Sequence, residues 1–197
     1  MLLYQLTRPI AFRQIKHPAL RIINVYAPGG LAVLAVFLFL LLPIKPKLFG
    51  DDSITSNALL FITVLPGFFI AALAAVATFP SDNLNEIMPD PAPTLVMRTG
   101  DNLAPVELTS RIFLCHLFSY LTVLSFAGFL LGAGGDLLAP SAVYVVAKIP
   151  DPGASNLVVC LLHIGYIAMF TWVFANLIVT TVYGLYFLVE RIHRPYS

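Results

Sequence analysis

The stretch Leu157–Val189 runs for 33 residues without an Asp, Glu, Lys or Arg. As a helix rising ~1.5 Å per residue it is about 50 Å long, against a bilayer core of about 30 Å. It is long enough to cross a membrane with residues to spare. Glu190, Arg191 and Arg194 mark where it leaves. The other apolar runs are shorter, so they must pack against it.

Composition agrees with a membrane chain. Of 197 residues, 59% are hydrophobic and 11% charged, where soluble domains average about 25% charged. Three further apolar runs cover about 27–44, 58–79 and 112–133, with 157–189 as the fourth. The expected fold is an all-α membrane protein. Four transmembrane helices form an antiparallel bundle, in a single domain over 1–197. No soluble domain fits between the runs, and no internal repeat is visible.

Prolines and glycines set the expected breaks. Pro66-Gly67 predicts a kink in the second span that neighbouring helices must support. The run Gly132-Ala133-Gly134-Gly135 is expected to end the third. Pro105 suits a first helical turn, so that span is expected to start as a turn before Arg111. Residues 80–111 read as a solvated polar loop, with five prolines and the acids Asp82, Glu86, Asp90, Asp101 and Glu107. The link 136–156 holds Val143-Tyr144-Val145-Val146, a short strand or an interfacial segment.

Residues 1–26 mix apolar side chains with Arg8, Arg13, Lys16 and Arg21, and Pro9 and Pro18 cut them into short pieces. The apolar run comes too late for a cleaved signal. The expectation is an uncleaved, amphipathic interfacial arm on the membrane surface, apolar side down. Its four cations would touch lipid phosphates. Lys and Arg number eight on the arm, the 80–111 loop and the tail, against three (Lys45, Lys47, Lys148) in the other links. The positive-inside rule then puts both termini in the cytoplasm of a bacterial inner membrane.

Several activities are disfavoured. The spans hold no carboxylate, Lys or Arg, which argues against proton pumps, ion-coupled carriers and voltage sensors. A net charge of +1 gives no field for nucleic acid. His116 and His163 stand beside Cys115 and Cys160, but on opposed helices they fall ~12 Å apart along the membrane normal. They are expected to be packed residues, with metal or cofactor ligation as the minor alternative. The loop acids lack calcium-loop spacing. No cofactor is expected.

Two kinds of stripe stand out. Gly128 and Gly132 form a GxxxG, and Gly67, Ala71 and Ala75 repeat at four residues; both let helices approach closely, within or between chains. Trp172, Asn176, Thr180 and Gly184 share one face of the fourth span. These are the expected helix–helix or oligomer contacts. The function expected is non-enzymatic: an oligomeric sensor, scaffold or anchoring subunit of a multi-protein system. Its partners would be the bilayer, further copies of itself and a cytosolic or membrane protein. The alternatives are a small homo-oligomeric pore lined by the polar face of the fourth span, and a cofactor-binding subunit using His116 or His163.

Overall fold

A computed structural model describes residues 8–78, 80–99 and 102–192. Four helical segments are long and apolar enough to cross a membrane: Ile22–Leu41, Ile54–Thr78, Ser110–Val146 and Pro152–Val189. We label the helices α1 (Ile22–Leu41), α2 (Ile54–Ile62), α3 (Leu65–Thr78), α4 (Ser110–Val146) and α5 (Pro152–Ile192). They pack together: α1 on α5, α2 and α3 on α4, and α4 on α5.

Local chemistry explains most boundaries. Leu42 takes an extended backbone conformation and ends α1, because Pro43 disfavours the helical region for the residue before it. Three residues of the expected span, 42–44, are therefore not helical. At its other end α1 starts five residues early, in a π-helical turn over Ile22–Tyr26. A capping box opens α2: Ser53 Oγ accepts from Ser56 N at 3.0 Å, and Ser56 Oγ accepts from Ser53 N at 2.9 Å. The expected kink is a full interruption between Ile62 and Leu65. Pro66 cannot donate to the Ile62 carbonyl four residues back, and its ring crowds it. Thr109 caps α4, its side chain accepting from Ile112 N.

Several expectations are corrected here. The fold is not all-α: Thr94–Thr99 (β1) and Asn102–Glu107 (β2) form an antiparallel hairpin. Pro105 pairs with Val96 in that hairpin and does not start a helix. Both strands of a two-stranded sheet are edges, where a missing N–H is tolerated. Residues 80–109 are accordingly not a loose polar loop, because Leu84, Met88, Leu95 and Leu108 are buried.

The glycine run does not end the third span either. α4 continues through Gly132–Gly135 and past Pro140 to Val146, so Val143–Val146 is helix. Gly132 and Gly135 mark close approach. A Cβ at Gly132 would lie 2.8 Å from Leu59 Cδ2, and one at Gly135 would lie 2.6 Å from Tyr166 Cε2. Pro152 sits at the first position of α5, a place proline favours.

The arm is the last correction. Residues 1–7 lie outside the described residues. From Arg8 onward the apolar side turns into the protein. Ala11, Phe12, Ile15 and Leu20 join the core with Phe113, Leu114 and Leu117 of α4. The Phe12 ring stacks on Tyr120 at 5.4 Å and meets Phe113 at 5.7 Å. Lipid would accept these side chains equally well. What protein adds is backbone pairing: Lys16 N donates to the Thr94 carbonyl at 2.9 Å, and Thr94 N returns a bond to Lys16 at 3.3 Å. A proline-broken segment cannot supply such partners from its own helix. Arm, hairpin and the turn Asp82–Asn85 thus form one cap against α4.

Candidate functional site

The cap joins the helices at a buried polar node. Asn176 of α5 is fully buried. Its Oδ1 accepts from the Tyr120 hydroxyl at 3.3 Å, and its Nδ2 donates to the Asn24 carbonyl at 3.2 Å. That carbonyl belongs to the π-helical turn of α1, a feature that often marks functional stretches of helix. One residue from each of α1, α4 and α5 therefore meets at one amide. An apolar interior demands this, since an unpaired amide there costs a few kcal/mol. Thr180, one turn on, is also fully buried; its Oγ1 and the Asn24 Oδ1 have no hydrogen-bond partner among the described residues.

Around the node the expected stripe of α5 turns inward. The Trp172 ring carries the Arg13 guanidinium at 5.2 Å from its centroid. Gly184 lets α5 close on α4, where a Cβ would come within 2.9 Å of Leu117 Cδ2. So Trp172 meets the arm, Asn176 meets α1 and α4, and Gly184 meets α4, while Thr180 is buried with them. Gly128 and Gly132 do likewise: Ile62, Leu59, Val173 and Phe170 surround them. Gly67, Ala71 and Ala75 differ, lying exposed along α3 with open space at the Gly67 Cα.

The arm cations divide. Arg8 Nη1 reaches the Val96 carbonyl at 3.4 Å, tying the arm to the hairpin. Arg13 covers Trp172, and Arg21 lies 5.8 Å over the Tyr26 ring. The Lys16 side chain is exposed while its backbone bridges to Thr94.

The two histidines lie apart. His116 Nδ1 is 2.9 Å from the Ile112 carbonyl of its own helix. His163 lines a cavity of about 390 Å³ between α4 and α5 with Leu131, Val146, Val159 and Tyr166. Phe49 packs on Tyr166 at 4.5 Å between ring centroids, and Tyr166 OH shares a 3.0 Å hydrogen bond with Thr55 Oγ1. Among the described residues no group of three His, Cys, Asp or Glu comes together to hold a metal.

Sequence reasoning missed Arg111, which it used only as an orientation charge. Arg111 Nε donates to Asn85 Oδ1 at 2.9 Å, and Nη1 donates to the carbonyls of Val76 and Ala77 at 2.8 and 3.1 Å. It caps the C-terminus of α3 with a cation and fastens the Asp82–Asn85 turn to α4. The visible signal was a lone Arg one residue before an apolar run. Tyr120 and Asn24 were missed too; each is a polar residue inside an apolar stretch, as Asn176 is. No family model, curated protein or solved structure matches the chain.

Proposed function

We propose that the chain is a non-enzymatic, multi-pass inner-membrane protein that works by binding. It is an oligomeric sensor, scaffold or anchoring subunit whose cap faces the cytoplasm and receives a protein partner. The observation that supports this most is the cap itself. It is folded onto α4 through buried Phe12, Leu84, Leu95 and Leu108, yet it leaves Ile87, Val96 and Leu103 exposed on its outside. A preformed surface binds without the ordering cost that a loose loop incurs.

Threading alternates, with the cap and both termini on the cytoplasmic side, in keeping with the eight-to-three bias of Lys and Arg. The burial of Asn176 and Thr180 weighs against a pore lined by α5, since their polar atoms lie inside one protomer. Of the small-residue stripes, Gly67–Ala71–Ala75 is the one left exposed for a second copy.

The test is extraction of tagged full-length protein in mild detergent, with particle mass and captured proteins both measured. The expected mass is a multiple of 21.5 kDa. Leu103→Asp is expected to abolish partner capture while leaving that mass unchanged. A particle of one chain, with capture indifferent to Leu103→Asp, would overturn the proposal.

A further inference from the structure

A second cavity lies between the arm and the start of α1. It measures about 280 Å³ and is lined by Arg13, Lys16, His17, Arg21 and Asn24, with Ile15, Leu20 and Val25 as its apolar wall. Its size is near the lower edge of the ~300–1,000 Å³ typical of small-molecule sites. That suits a headgroup-sized ligand rather than a long acyl chain.

Its charge is one-sided. Three cationic side chains line it, and no carboxylate does. The side chains of Arg13, Lys16 and Arg21 make no ion pair or hydrogen bond with any described residue; Arg13 and Arg21 use only their faces, over Trp172 and Tyr26. A guanidinium over an aromatic ring keeps its in-plane N–H donors for another partner. Cations gathered on one small cavity repel each other until an anion enters.

Asn24 lines the same cavity and is 6% exposed, but its Oδ1 is sealed off from it and offers a ligand there no acceptor. Recognition rests on the cations and the apolar wall.

We infer that this cavity binds a phosphate ester of net negative charge. The phosphate takes charge-assisted hydrogen bonds from Arg13, Lys16 and Arg21. The same chemistry occurs in the glycerol-phosphate headgroup of an anionic phospholipid and in a soluble glycerol phosphate. The site rests on the fold alone. Detergent-solubilised protein tests it whether or not the chain self-associates or is threaded as proposed above.

Trp172 is the sole tryptophan of the chain and lies under Arg13, so its emission reports occupancy. Full-length protein in non-ionic detergent is titrated separately with four probes: dioctanoyl phosphatidylglycerol, dioctanoyl phosphatidylcholine, glycerol phosphate and inorganic phosphate. A saturable emission change is expected with phosphatidylglycerol or glycerol phosphate, weaker with inorganic phosphate, which leaves the apolar wall uncovered, and absent with phosphatidylcholine, whose own cation cancels its charge. Response to the lipid alone assigns the site to the membrane; an equal or tighter response to glycerol phosphate assigns it to a soluble ester.

Lys16→Gln with Arg21→Gln, both exposed positions, is expected to weaken binding about tenfold or more, a loss of at least about 1.4 kcal/mol. Lys45→Gln with Lys47→Gln removes the same charge elsewhere and is expected to change nothing. No saturable change with either ester, or equal loss in the two double variants, would overturn the inference.

Discussion

Arg111 shows how much one side chain holds in this fold. Its donors reach the Val76 and Ala77 carbonyls and the Asn85 side chain, so a single planar group joins α3, the Asp82–Asn85 turn and α4. Hydrogen bonds to a charged group are each worth about 1.5–3 kcal/mol, less where solvent reaches them. Arg111→Ala is therefore expected to destabilise the protein by about 2 kcal/mol, read from unfolding in mixed detergent micelles. Arg111→Lys is expected to recover only part of that, because a point charge cannot reproduce a fork of donors. Equal stability of Arg111→Ala and the parent would show the contacts to be solvent-compensated. Asn176 was legible at this scale only by half. Lipid offers an amide no partner, so an inward direction followed from the residue type. That its partners are the Tyr120 hydroxyl and the Asn24 carbonyl did not follow, because both lie far away in sequence.

Glycine carries two different meanings along the elements. Gly67 has open space beside it, whereas Gly128, Gly132 and Gly135 sit where another element closes in. At Gly128 a Cβ would meet Ile62 and Val173 at 3.5 Å, ordinary contact, so Gly128→Ala is expected to be near neutral. At Gly132 the nearest atom is the flexible end of Leu59. At Gly135 it is the Tyr166 ring, held by Phe49 and by the bond to Thr55. Overpacking typically costs about 1–3 kcal/mol, so Gly135→Ala is expected at the upper part of that range and Gly132→Ala below it. Unfolding midpoints in the same detergent rank the three variants; a Gly128→Ala more harmful than Gly135→Ala would contradict the packing described. Gly→Ala here also gains helix propensity of up to ~1 kcal/mol, which partly offsets the clash and makes the ranking the sharper test.

Over the whole molecule the two long helices set the shape. α4 has 37 residues and α5 has 41, about 56 and 62 Å, well beyond a ~30 Å bilayer core. The cap covers one projecting end, burying Phe113, Leu114 and Leu117. The other projecting end carries Leu137, Leu138, Val143 and Tyr144 exposed. In a background with Cys115 and Cys160 replaced by Ala, single cysteines at Asp51 and Asn156, both exposed, are expected to react with an impermeant thiol reagent in sealed cells. A cysteine at Glu107 on the cap is expected to react only after lysis. Labelling of the Glu107 position in sealed cells would reverse the threading.

The sequence alone determined the four apolar segments and a break in the second of them at Pro66-Gly67. Each is a local matter: uncharged length is decided against lipid, and a proline acts on its own carbonyl four residues back. Tertiary structure decided the direction of the arm, the hairpin within residues 80–109 and the length of α4. For the arm, lipid and protein accept Phe12 and Leu20 alike. Only the distant backbone of Thr94, with the rings of Phe113 and Tyr120, tips it inward. For α4, Gly132–Gly135 looks the same in sequence as a helix end and as a close approach. Leu59, Phe170 and Tyr166 standing against it make it the second, because contact across the fold is a property of no single segment.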